Sequence, residues 1–68
     1  MKTYYVTFTY KAERFAVRCE DLIDASMVKN HATGCFKDIV VKTRKRADEK
    51  LMSIEEFDAI TDEIIYSK

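Results

Sequence analysis

The stretch FAVRCEDLIDASMVKNHATGCFKDIVVKTR, Phe15–Arg44, decides the fold. Phe15, Val17 and Cys19 alternate with Ala16 and Arg18, a period of two that predicts a strand. Asp21 then offers a side-chain oxygen to the first amides of a helix, and Asp24 lies three residues on, near the positive end of the helix dipole. Leu22, Ala25, Val28 and Ala32 recur at helical spacing, with Ile23 and Met27 widening the apolar stripe. The spacing predicts a helix over Asp21–Thr33. Gly34 is expected to close it in a left-handed conformation, and Ile39-Val40-Val41 begins a second strand that runs to Arg44.

Outward from that strand–helix–strand unit, the N-terminal residues alternate strictly. Tyr4, Val6, Phe8 and Tyr10 share one face and Tyr5, Thr7 and Thr9 the other, which predicts a half-buried strand. Lys11-Ala12-Glu13-Arg14 is polar enough to turn the chain into a hairpin, although it lacks an Asn-Gly signal. On the C-terminal side, Leu51-Met52 reads as a short fourth strand. Ser53-Ile54-Glu55-Glu56 forms a capping box in front of the apolar series Ile54, Phe57, Ile60 and Ile64, widened by Ile65. The opposite side of that second helix carries Glu55, Glu56, Asp58, Asp62 and Glu63.

A strand, a helix and a further strand make a right-handed crossover with the two strands parallel. The third strand is therefore expected on the free edge of the first, in the order 2-1-3. The first helix then covers the face of Tyr4, Val6, Phe8, Phe15 and Val17. The expected fold is α+β, with a small three- to four-stranded, mainly antiparallel sheet and two helices in the order ββαβ(β)α. Residues 1–68 form a single domain.

At 68 residues there is room for one core, and a chain of this size buries only about 60% of the surface its unfolded form exposes. No apolar run is long enough for a signal peptide or a membrane span, so the expected location is the cytoplasm, where thiols stay reduced. No membrane partner is expected. Cys19 and Cys35 fall at opposite ends of a helix about 18 Å long at 1.5 Å per residue. A disulfide needs α-carbons within about 7 Å, so no bridge is expected. Their spacing with His31 matches no structural zinc pattern, and neither a metal nor a cofactor is expected.

Catalysis by a nucleophile needs a base and a group that orients the base. The lone His31 suits the negative end of the first helix instead. The neighbouring acids of the second helix lie on a solvated face, where nothing tunes them for proton transfer. The chain reads as a non-enzyme with no catalytic residues.

Charge is zero overall but segregated. Residues 42–46 hold four bases, and residues 53–68 hold five acids against one lysine. Tyr5, Arg14, Arg18, Lys42 and Arg44 are expected on the sheet face away from the first helix, with Arg46 beside them. Arginines around an exposed aromatic could hold single-stranded nucleic acid. The zero net charge and the lack of a ribonucleoprotein-type aromatic motif count against that use. Opposite patches fit a protein partner reached by electrostatic steering. The candidate partner-binding residues are thus Tyr5, Arg14, Arg18, Lys42, Arg44 and Arg46 on one surface, and Glu55, Asp58, Asp62 and Glu63 on the other. An exposed sheet edge would also allow a homodimer by strand pairing.

The hairpin, the acidic-capped helix Glu20-Asp21-Leu22-Ile23-Asp24-Ala25 and the strand Ile39-Val40-Val41-Lys42 together resemble small phage-encoded inhibitors of host machinery. These include some anti-CRISPR proteins and a phage inhibitor of bacterial RNA polymerase. The resemblance covers residues 4–44 and leaves out the helix at 53–66. It implies a non-catalytic protein, phage or mobile-element encoded, that acts by occupying a host protein or complex. The alternative is a nucleic-acid-binding domain using the basic sheet face.

Overall fold

Alternation in the first two strands and helical spacing in the two capped segments give six elements in the computed structural model, which describes residues 2–67. They are β1 (Tyr4–Tyr10), β2 (Glu13–Cys19), α1 (Leu22–Thr33), β3 (Lys37–Lys42), β4 (Lys50–Met52) and α2 (Ile54–Tyr66). The sheet order is β3-β1-β2-β4. β1 pairs antiparallel with β2 and with β3, whereas β2 pairs parallel with β4.

The expected order 2-1-3 is present, and the fourth strand extends it at the far edge of β2. That corrects two expectations: the sheet is mixed rather than mainly antiparallel, and β2 is an inner strand rather than an edge. The cause is the segment Thr43–Glu49, which crosses the outer face of the sheet and delivers β4 in the direction of β3. α1 carries the chain one way over the inner face and this loop carries it back over the outer face. The two crossovers therefore share one hand, as the twist of the strands favours.

Val6, Phe8, Val17, Cys19 and Met52 point inward from the sheet and meet Ala25, Val28 and Ala32 of α1 and Phe57 of α2. An aromatic cluster fills the centre. Phe8 stacks on Phe36 with ring centroids 4.3 Å apart, and Phe57 lies 5.6 Å from Phe8. Pairs of this kind add about 0.5–1.5 kcal/mol beyond their buried area. Phe36 carries no periodic signal because it sits in the short connection between α1 and β3, yet it is only 8% exposed.

Both helix caps form as their sequences predict. The Asp21 carboxylate accepts the Asp24 N–H at 2.8 Å, and Ser53 Oγ accepts the Glu56 N–H at 3.1 Å. Gly34 departs from expectation: its φ of −82° is right-handed. The left-handed residues are Lys11 (φ 51°), Ala12 (64°) and Asp38 (56°). Lys11 and Ala12 form a two-residue hairpin loop between the paired Tyr10 and Glu13, so β2 begins two residues earlier than expected. Positive φ at both positions is the type I′ form of a two-residue loop, whose twist matches that of its strands, and the geometry overrides the residues present. Asp38 bulges β3, where the register with β1 shifts between Thr7 and Thr9.

The helical stripes are narrower than their sequences suggest. On α1 only Ala25, Val28 and Ala32 are buried, while Leu22, Ile23 and Met27 are 56%, 73% and 57% exposed. On α2, Phe57 and Thr61 are buried, Ile60 and Ile64 half-buried, and Ile54 and Ile65 exposed. Among the described residues no helix is long and apolar enough to cross a membrane.

Candidate functional site

The outer face of the sheet holds Tyr5, Arg14, Arg18 and Lys42; β3 ends at Lys42 rather than at the expected Arg44, so Arg44 and Arg46 lie in the loop that follows it. β1 places Tyr5 opposite Arg18 on one side and Lys42 on the other. At its centre Thr7 is fully buried, because Arg14 lies across it. Arg14 donates from Nη2 to Thr7 Oγ1 and from Nη1 to Thr9 Oγ1, both at 2.9 Å, and from Nη1 to the Asp38 carbonyl at 2.7 Å. The guanidinium thus ties β2 to β1 and to the bulge of β3.

Glu49 closes this network. Its side chain is 3% exposed, with Lys42 Nζ at 2.8 Å, the Arg46 N–H donating to it at 2.8 Å and Arg14 Nη2 at 3.9 Å. Burial pushes the Glu49 carboxyl up, and the Lys42 hydrogen bond, the Arg46 amide and the charges of Lys42 and Arg14 together outweigh it. The net effect holds it below the ordinary carboxylate range, since a charge so partnered stays ionised. Lys45 Nζ donates to the Arg46 and Glu49 carbonyls at 3.0 and 2.8 Å, and Arg46 reaches Asp48 at 3.4 Å. The basic candidates Arg14, Lys42 and Arg46 are therefore engaged within the fold. Arg18 and Arg44 are exposed with no ion pair among the described residues, and Tyr5 is half-buried.

The helical side is organised differently. α1 and α2 flank a cleft of about 380 Å³ lined by Cys19, Met27, Val28 and Ile54, with Glu20, Asp24, Asp58, Arg18 and His31 around it. Met27 and Ile54, both exposed, bring apolar surface to the cleft from the two helices, while Ile23, one turn before Met27, lies outside its lining. The carboxylates of Glu20, Asp24 and Asp58 take part in no ion pair among the described residues. Burial first, then the charges of Asp24 and Asp21, push the Cys19 thiol in the cleft wall up. Both cysteines are free.

The acidic candidates Glu55, Asp58, Asp62 and Glu63 are all exposed on α2. Asp58 and Asp62 are four residues apart, a like-charge spacing that weakens a helix. Glu63 lies in the last turn, where no base is present and the dipole disfavours an acid. Of these four, only Asp58 lines the cleft.

Sequence reading singled out neither Glu49 nor the cleft. Glu49 could have been suspected as an acid following a run of bases. The cleft had a signal in the excess width of the α1 stripe: a helix that buries only Ala25, Val28 and Ala32 has no room for Leu22, Ile23 and Met27 in the same core. Comparison with protein-family models, curated proteins and solved structures finds no match to this chain.

Proposed function

We propose that the chain is a small non-catalytic protein-binding module that docks on a larger host protein or complex through its helical side and so inhibits or modulates it. One observation carries this reading: exposed Met27 and Ile54 line a cleft edged by carboxylates that take part in no ion pair among the described residues. Large apolar side chains gathered on a surface commonly mark an interaction site, and unpaired charges around them supply orientation and steering. The phage or mobile-element origin rests on the resemblance of residues 4–44. On the outer face, by contrast, Arg14 and Lys42 are taken up by Glu49, which leaves fewer cations for a nucleic-acid backbone.

The test is a tagged pull-down from source-organism lysate, with and without nuclease, using three proteins. These are the unaltered chain, a Met27→Glu/Asp58→Lys variant and an Arg44→Glu/Arg46→Glu variant, whose two positions are exposed and outside the cleft lining. A stoichiometric protein that survives nuclease and is lost only with the first variant is the expected result. Material lost with nuclease and with the arginine variant, and falling steeply with salt, would establish nucleic-acid binding instead.

A further inference from the structure

The helical side also specifies the chemistry of its occupant, given the reading above. We infer that the α1–α2 cleft receives a basic amphipathic helix, whose apolar side chains seat against Met27, Val28 and Ile54 while its lysines or arginines meet Glu20, Asp24 and Asp58. The volume of about 380 Å³ is near the lower end for ligand pockets, roughly 300–1,000 Å³. It suits one or two apolar side chains delivered by a peptide rather than a large free ligand.

Charge complementarity fixes the sign. Three carboxylates with no ion pair among the described residues edge the cleft against Arg18 and the exposed, terminal-turn His31. Asp21, Glu55 and Asp62 extend the acidic surround on the same two helical segments. The cleft lies beside both helices, at the end of β2. A helix laying its apolar face into a groove needs no backbone partner.

A second copy of this chain does not fit. α2 carries Glu55, Glu56, Asp58, Asp62 and Glu63 and no base, and the basic segment Thr43-Arg44-Lys45-Arg46 has no apolar anchor. Two such helical sides brought together would oppose like charges.

The test titrates the full chain, isotopically labelled in its amides and methyl groups, with three synthetic peptides of about 18 residues, five helical turns. One is an amphipathic leucine–lysine helix, one has the same composition scrambled, and one is its leucine–glutamate counterpart. The expected result is resonance shifts centred on Met27, Val28 and Ile54 with the first peptide. Affinity should fall about tenfold or more with the scrambled peptide or with Glu20→Lys/Asp58→Lys. Val40→Glu on the outer face should leave it unchanged. Both altered positions of the double variant are exposed, and its dispersed amide spectrum would verify folding.

Equal binding of the glutamate or scrambled peptide, shifts centred elsewhere, or no binding would overturn the inference. So would concentration-dependent broadening of the cleft resonances without peptide, which would mean self-association. If lysate capture is lost with Met27→Glu/Asp58→Lys while the lysine peptide fails to bind, the inference falls and the broader reading stands. If capture is lost only with the arginine variant, both fall.

Discussion

Glu49, under the loop on the outer face of the sheet, and Asp58, at the edge of the α1–α2 cleft, are carboxylates in opposite situations. Glu49 is almost fully buried and held by Lys42, the Arg46 amide and Arg14. Asp58 is exposed and pairs with no base among the described residues. The basic run looked available in sequence, but its Lys42 is taken up by an acid that arrives with the crossover loop, while Arg44 has no ion pair among the described residues. The acidic helix looked like an ordinary solvated face, yet the fold leaves its charges beside uncovered apolar side chains. Availability of a charge is thus a property of topology, because pairing is decided by which segments the sheet brings together.

The largest effect expected from breaking this contrast is at Glu49. Glu49→Ala leaves Lys42 and Arg14 facing each other across an emptied site. Breaking a buried pair costs about 3–5 kcal/mol, and we expect the low end because Lys42 and Arg14 remain about 30% exposed. Urea denaturation should register that loss, while Asp58→Lys should change stability little. A loss at Glu49 no greater than that at Asp58 would remove the contrast.

The pH dependence sharpens it. The folded-state value of Glu49 is lowered from the ordinary 4.5, so its contribution is complete above that unfolded value and is lost as pH falls through the folded one. The stability difference between the unaltered chain and Glu49→Gln should therefore be constant near neutral pH and shrink below about pH 4. A difference that widens on acidification would contradict the assigned pairing.

Much of the fold was legible because local signals and topology agreed. Strict alternation in Tyr4–Tyr10 and the caps at Asp21 and Ser53 marked elements that the structure contains. Crossover handedness then put β3 against β1. What was not legible depended on long-range placement. The parallel pairing of Ala16 with Leu51 and Val17 with Met52 needs the loop's path over the outer face, and a three-residue strand carries too little periodicity to reveal it. Phe36 enters the core from an irregular segment. Ile23 and Met27 satisfy helical spacing, but the sheet offers α1 only a strip wide enough for alanines and one valine. The candidate site was half legible: Asp58 and its neighbours were visible as an acidic face, while Glu20, Asp24 and Met27 acquired a role only once α2 was placed beside α1.

The hairpin loop gives an intermediate effect that separates folding from contact. Lys11 and Ala12 both adopt positive φ, a conformation that Asn and Gly reach at lower cost. Lys11→Asn/Ala12→Gly should stabilise the chain by about 1 kcal/mol. The loop lies at the opposite end of β2 from Cys19 and the cleft, so binding of the lysine peptide should not change. A change in affinity with this variant would mean that peptide binding reports global stability rather than contact at the cleft.

The smallest effect is expected at Glu63, and it bears most directly on why the helical side is acidic. Glu63 sits in the last turn of α2, which contains no base, and its neighbours four residues away are Ala59 and Ser67, neither of which can neutralise it. Glu63→Lys reverses an unfavourable interaction with the helix dipole and should stabilise the chain by about 0.3–1 kcal/mol at low ionic strength, less as salt screens it. Glu63 lies outside the cleft lining, so the same change should weaken the lysine peptide only slightly, through the general field. A gain in stability with a small loss of affinity means that the acid is kept at a folding cost for what it does to an approaching cation. A gain with no loss would confine recognition to the carboxylates at the cleft itself, Glu20, Asp24 and Asp58.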